Sequence, residues 1–491
     1  MIQSDFIIIH PNDNVAVALK DIKKGTSFNG VIANDNIPFG HKMLLTNLKA
    51  GDNVIKYGYP IGHVTQDTPK GSYVHTHKIA TNIKGKLNYE YKHDNSYHPV
   101  ISNKFFNGYV RKNGEVGIRN KIIIIPTVGC VNDIVKKIEN NVRNIFDENF
   151  DGIFAYTHPY GCSQVDNDQD NTIKVLTRLI KHSNVGGALV VSLGCENCNI
   201  EVIKKALGRY DEKRIKFLVC QDVEDEIKSG KELIKQIYDV VKNDKKEKVN
   251  LSKLKIGYKC GGSDAFSGLT ANRLCGEINN RLTDLGATTV LTEVPEMFGA
   301  EQILLDRSLN KNVFNKQVEM INSFKDYFIA NGQGCADNPS PGNHKGGITT
   351  LEEKSLGCVQ KGGKSIVTDV LKYGENAHKN GLNLLIGPGN DIVSVTNLVC
   401  AGCQVILFTT GRGTSLGAAV PTIKISSNSA LFERKSNWID FNAGELINGI
   451  GFDVLADELQ NKLLAVLNGE KTKNELNNYR DISVFKDGVI M

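Results

Sequence analysis

Three apolar runs in the sequence each close on Gly-Cys: "KIIIIPTVGC" at Cys130, "DGIFAYTHPYGC" at Cys162 and "GALVVSLGC" at Cys195. A polar or helix-forming segment follows each one, so each reads as a buried strand that delivers a cysteine at its carboxyl end. In an open parallel sheet those ends line one edge, where ligands bind. Three thiolates meeting there suit a soft site: ferrous iron, or an iron–sulfur cluster with one iron not bound by cysteine. A cysteine at a strand end is also an ordinary small apolar residue, and that reading stands beside the first. Cys198 forms a Cys-x-x-Cys with Cys195, the spacing of half a zinc hook or of a redox pair. The other such pair, Cys400 and Cys403, is remote in sequence, so Cys198 reads as a bystander.

A second, harder ligand set competes. Asp264 in "CGGSD" with Glu293 and Glu296 in "TEVPE" would supply oxygens to another divalent ion, and Cys260 could join them. The two glutamates share a face only if their segment is helical. For proton transfer, His158 in "THPYGC" is the preferred general base, because imidazole titrates near working pH. His75 and His77 in "YVHTH" alternate along an expected strand and would point to one face. They are either an exposed hairpin edge or a base or ligand that a small domain brings over a pocket. Arg119, Lys345 and Arg412 are candidates to hold a carboxylate, with arginine the better planar fork. The turn "KCGGSDAFSG" follows a strand and opens a helix, so its amides at Ser263 and Asp264 could hold an anion. "GPGND" and "TTGRGTSLG" are similar. None matches G-x-G-x-x-G with a downstream acid, which argues against a dinucleotide.

The elements that must position these groups fall into blocks. At 491 residues the chain is too long for one core. Residues 1–82 are short alternating strands between turns such as "PNDN", "KAGD" and "PKGS", a small β module. Residues 83–105 are polar, rich in Tyr and Asn, and read as a flexible linker. Residues 106–245 repeat strand, turn and helix and hold the Gly-Cys ends. The charged run "KNDKKEKVNLSKLK" reads as solvated linker. Residues 250–491 alternate strands and helices again, which predicts a Rossmann-like, mostly parallel sheet. The expected fold class is thus multidomain α/β. A net charge of +5 without a basic, aromatic-interleaved stripe gives no nucleic-acid footprint. No export signal or membrane-spanning run is visible, so the eleven cysteines are expected as thiols in a cytoplasmic protein.

An ordered set of motifs spans essentially the whole chain: "HPNDNVAVAL", "NVIKYGYPIG", "VGIRNKIIIIPTVGCVN", "THPYGCSQ", "SLGCEN", "CGGSDAFSGLTAN", "TEVPEMFGAE", "NPSPGNHKGGITTLEEKSLGC", "PGND" and "FTTGRGT". The sequence resembles the altronate and galactarate dehydratase family, and the N-terminal module resembles its SAF (β-clip) domain. "TEVPEMFGAEQ", "GITTLEEKSLGCVQK" and "GLNLLIGPGND" resemble the altronate branch more closely. The resemblance implies a hydro-lyase of hexuronate catabolism that dehydrates D-altronate to 2-dehydro-3-deoxy-D-gluconate. It also implies ferrous iron, reducing conditions and a homodimer. "SPGNHKGG" carries His344 where relatives are expected to have lysine, which makes His344 a poor candidate for an essential role. Two rival readings remain: dehydration of galactarate or another sugar acid, and a thiol redox or metal-binding protein.

Overall fold

The computed structural model describes residues 4–101, 103–143 and 150–490. The N-terminal module is built from strands too short to bury a core alone. Phe6–Ile7, Val15–Ala18, Lys42–Leu44 and Tyr73–Val74 form one antiparallel sheet; Asn53–Lys56, Tyr59–Val64 and Ile79–Ala80 form a second. Val15, Leu44, Val54 and Ile61 pack into the same apolar cluster as Leu274, Leu356 and Leu407 of the C-terminal region. Shared burial seats the module on that region.

Among the described residues, 83–104 hold no helix or strand, yet the stretch is tied down. The Asn95 amide donates to the Leu309 carbonyl (3.0 Å), Tyr97 Oη to Thr283 O (2.8 Å) and the Val100 amide to Asp284 O (2.8 Å). The charged run expected as solvated linker departs from its reading. Within it, Glu247–Asn250 is a strand that pairs antiparallel with Phe105–Val110. Its buried member, Val249, is one apolar residue among charges, too weak a period to see.

The middle region is a four-stranded parallel sheet in the order Ile153–Ala155, Lys121–Pro126, Val185–Ser192, Ile215–Val219. Helices Asn132–Val142, Asp166–Ile180, Ile200–Leu207 and Glu226–Val241 alternate with the strands. The C-terminal region is a seven-stranded parallel sheet in the order Val367–Leu371, Gly381–Leu385, Thr288–Leu291, Lys255–Cys260, Val405–Thr410, Thr422–Ser426, Phe441–Asn442. Its inner strands are buried along their length, as parallel sheets covered on both faces require. The α/β class and the Rossmann-like C-terminal sheet agree with the sequence pattern. No helix among the described residues is long and apolar enough to cross a membrane.

Candidate active site

Strand Lys255–Cys260 is central in the large sheet, and its carboxyl end opens a cleft of about 410 Å³. Gly261, Gly262, Glu296, Ser340, Lys354 and Asp391 line it. A Cβ at Gly261 would collide with the Asp391 carboxylate and, at 2.8 Å, with Phe408, so a larger residue would have to displace them. Glu293 has φ 74° and starts the short turn Val294–Met297, which brings Glu293 and Glu296 round the strand end. A left-handed glutamate is strained, and such strain clusters at functional sites. Lys354 and Cys358 lie one turn apart on helix Leu351–Cys358, whose amino end Thr350 caps by accepting from the Glu353 amide.

Buried charges meet under the cleft. Lys259 pairs with Glu293 and, at 2.8 Å, with Asp391. Lys354 Nζ is 2.8 Å from Glu296 Oε1. Lys361 Nζ is 3.2 Å from Glu293 Oε2 and 2.8 Å from Cys260 Sγ. Burial pushes the Glu296 carboxyl up, but Lys354, Lys259 and Lys361 outweigh it and hold it well below the usual range. Burial likewise works against the Lys354 ammonium, and Glu296 more than restores it. So Lys354 is a firmly charged cation and Glu296 a firmly charged carboxylate, facing one small cleft. A fixed ammonium in a dry site stabilises charge that develops on a substrate oxygen.

Among the described residues, one group of three candidate ligands lies within 4.8 Å, Cys260, Glu296 and Cys358, and by distance it could hold a metal ion. The two sulfurs are 3.3 Å apart, and Glu296 Oε2 is 3.2 Å from one and 3.1 Å from the other. Of the harder set expected from sequence, the structure gathers Cys260, Glu293 and Glu296 and leaves Asp264 outside. Asp264 Oδ1 accepts from Ser267 Oγ (2.8 Å) and Ser427 Oγ (2.7 Å), and Oδ2 from Asn428 Nδ2 (3.0 Å), so it braces the glycine turn. Charge also weighs against a cation here. Lys259, Lys354 and Lys361 already neutralise Glu293, Glu296 and Asp391, and a divalent ion would have to displace them.

Ser263 is buried beside this site, and its hydroxyl has no partner among the described residues. Arg412 is exposed on the rim, its side chain 3.6 Å from where a Gly342 Cβ would stand and without a hydrogen bond among the described residues. Lys345 is also exposed. Two candidates are corrected. Arg119 grips Glu475 through Nε (2.9 Å) and Nη2 (3.0 Å) and donates to three backbone carbonyls, so no fork is left for a substrate. His158 is buried, with Nε2 on Pro126 O (2.8 Å) and Nδ1 accepting from the Tyr160 amide (3.2 Å). Both ring nitrogens are spent on backbone, which removes it as a general base.

The histidines of "YVHTH" are not on a strand; they lie in the turn after Tyr73–Val74. His77 is exposed and meets Tyr73. His75 turns inward, its ring 4.8 Å from His41 and 6.0 Å from His344, its Nδ1 buried with no hydrogen-bond partner among the described residues. Burial, then Lys42, brings its pKa down to about 3, so the ring is neutral at ordinary pH. His344, discounted from sequence, therefore stands at the joint with the N-terminal module. The same joint carries a buried three-way ion pair. Lys42 Nζ and Lys56 Nζ lie 2.8 and 2.7 Å from the Glu353 carboxylate. Burial would raise that carboxyl, but Lys42 and Lys56 hold it well below the usual range. Glu353 precedes Lys354, so the module grips the helix that carries the cleft's ammonium.

Sequence reasoning missed Lys259, Lys354, Lys361 and Cys358. A lone lysine reads as surface, and only burial reveals these. Cys358 had a signal: "KSLGC" is a further Gly-Cys ending, on a helix rather than a strand.

Family models match in three consecutive blocks. They are "Altronate/galactarate dehydratase SAF domain" over residues 4–82, "D-galactarate dehydratase/Altronate hydrolase, second domain" over 108–242, and "D-galactarate/Altronate dehydratase, C-terminal" over 251–490. The chain is 47% identical over 493 residues to the altronate dehydratase of Escherichia coli (strain K12), covering 99% of this chain and 100% of that one. It is 47% identical over 494 residues to the altronate dehydratase of Bacillus subtilis (strain 168), covering 99% of each. Against the galactarate dehydratase (L-threo-forming) of Escherichia coli (strain K12), identity is 32% over 475 residues, covering 90% and 89%.

Proposed function

Because the chain belongs to the galactarate and altronate dehydratase family, we propose that it is a hydro-lyase converting D-altronate to 2-dehydro-3-deoxy-D-gluconate and water. The observation that carries this reading is the full-length identity of 47% to two altronate dehydratases, against 32% to a galactarate dehydratase. The cleft supplies the means. Water leaves as the proton at C2 and the hydroxyl at C3, and the enediolate between them needs positive charge and hydrogen-bond donors. Lys354 offers a fixed ammonium to the carboxylate end of that enediolate. Asp391, 36% exposed in the cleft wall, is placed to accept the C2 proton. Arg412, beside Gly262 at the rim, and the exposed Lys345 are proposed for a carboxylate, and the Ser263 hydroxyl, unpartnered among the described residues, for a sugar hydroxyl.

Ferrous iron belongs to this reading as cofactor; bound, it would act as a Lewis acid toward oxygen. The lysine-filled group under the cleft is a poor fit for it. The exposed thiols Cys130, Cys162 and Cys195 are the better donors by chemistry, being soft and without a lysine partner among the described residues, and they suit iron held as a cluster rather than as one ion. The reading also places the enzyme in the cytoplasm as a homodimer acting on a small sugar acid, not on nucleic acid or membrane.

The test is steady-state turnover of D-altronate and galactarate by the reduced, iron-loaded full chain, with the 2-keto-3-deoxy product assayed. We expect altronate to be favoured at least about tenfold in kcat/KM, about 1.4 kcal/mol. Equal or reversed values would replace altronate as substrate; no product from any hexonate or hexarate would remove the hydro-lyase reading.

A further inference from the structure

The exposed cysteines of this chain are Cys130, Cys162 and Cys195; all the others are buried or half-buried. Free cysteine is among the most buried residue types, so three exposed thiols that follow three neighbouring strands call for a function. Cys130 sits in the turn Gly129–Val131 after strand Lys121–Pro126. Cys162 and Cys195 lie in the loops after Ile153–Ala155 and Val185–Ser192, the strands on either side of it. Parallel pairing points all three loops to one edge.

The loops are fastened to one another. The Gly129 amide donates to Tyr160 O (2.9 Å), the Cys198 amide to Gly161 O (3.0 Å) and the Ser163 amide to Asn197 Oδ1 (3.0 Å). Gly161 has φ 105°, and a Cβ on it would strike the Thr127 carbonyl. A Cβ on Gly129 would lie 3.1 Å from His158 O. The glycines before these cysteines thus let the loops close on each other. Two buried polar residues brace them. His158 ties the Pro126 carbonyl to the Tyr160 amide. Glu196 accepts from Thr127 Oγ1, from Ser192 Oγ (2.5 Å) and from the Gly194 amide (2.8 Å). Such bracing sets the direction of metal-ligand loops without touching the metal.

The three sulfurs are not among the ligand groups gathered within 4.8 Å. Thiolates that do not converge on one point disfavour a single ion, and a cluster is the form of iron that three thiolates on one edge would hold. We infer that Cys130, Cys162 and Cys195 hold an iron–sulfur cluster with three protein ligands, whose remaining iron takes an oxygen ligand from water or a hydroxy acid. His158 and Glu196 are its positioning residues. The inference rests on the iron requirement in the proposed function, not on the choice of substrate.

The test is anaerobic reconstitution of the full chain with ferrous iron, sulfide and a thiol reductant. Iron and acid-labile sulfide are then measured, and electron paramagnetic resonance is recorded on the reduced protein. We expect about four iron and four sulfide per chain and a cluster signal. Cys130→Ser, Cys162→Ser and Cys195→Ser should each lose most of the iron, the sulfide and the signal, while the melting temperature of the iron-free chain stays unchanged, since all three side chains are exposed. Cys335→Ser, half-buried in the C-terminal region, should keep all of them. Iron without sulfide would overturn the cluster. Full iron and sulfide in all three serine variants would overturn the site and leave the iron requirement standing. A wild-type chain that binds no iron would overturn both.

Discussion

The molecule has two parallel sheets, and their carboxyl edges treat charge in opposite ways. Under the large sheet, Glu293, Glu296 and Asp391 are matched by Lys259, Lys354 and Lys361, largely out of water. On the smaller sheet, three thiols stand exposed, and the charged residue beneath them, Glu196, is satisfied by hydroxyls and an amide. One edge has its cations built in as side chains. The other presents exposed soft donors, and on our proposal their cation comes from outside. Two copies of one strand–loop–helix plan then separate fixed electrostatics from soft ligation.

The comparison breaks most visibly where a buried charge is removed. Glu353→Leu strands Lys42 and Lys56 beneath the N-terminal module, and we expect about 3–5 kcal/mol of lost stability by denaturant unfolding. Retained stability would mean that the two stranded lysines shed their charge or reach water. Lys354→Met should lower kcat about 10²–10³-fold, the scale of losing one preorganised donor, while leaving iron and sulfide content intact. A parallel loss of iron would show that the two edges are one site. Glu196→Gln should do the converse: chelators should strip iron about 10–100-fold more readily, with little change in the melting temperature.

Acid provides a smaller and graded effect. Glu353 and Glu296 have folded pKa values below their unfolded ones, so both add stability that is complete above the ordinary carboxyl range. It is lost as pH falls from about 4 toward their folded values. Melting temperature should therefore drop below about pH 4, and the drop should be shallower in Glu353→Gln. At the bottom of the scale, His77→Ala should change kcat/KM by less than about twofold, because the ring is exposed and outside the His41–His75–His344 contacts. A larger change would bring the module's outer turn into the site.

Much of the architecture was legible because burial imposes a period. "KIIIIP" and "QVILFTT" can only be strands covered on both faces, and the thiols at strand ends follow from that. The strand Glu247–Asn250 was not legible, since its pairing partner lies far back in the chain and its residues are charged. At the site, residue type misled where saturation decides. Arg119 and His158 have the right chemistry, and only the folded chain shows that backbone groups and Glu475 already use it. The buried lysines erred the other way, their role hidden by a residue type that normally faces water.

Lys42 and Lys56 come from separate sheets of the N-terminal module and meet on one glutamate of a third element. For descent, such a joint is a barrier. Losing Glu353 strands two ammoniums in the interior, and losing one lysine leaves a buried pair that must still be broken singly, whereas replacing all three by well-packed apolar residues would cost little. No single-step path connects the two solutions without a destabilised ancestor. The trio should therefore pass between lineages as a unit, changing more slowly than the apolar residues packed around it.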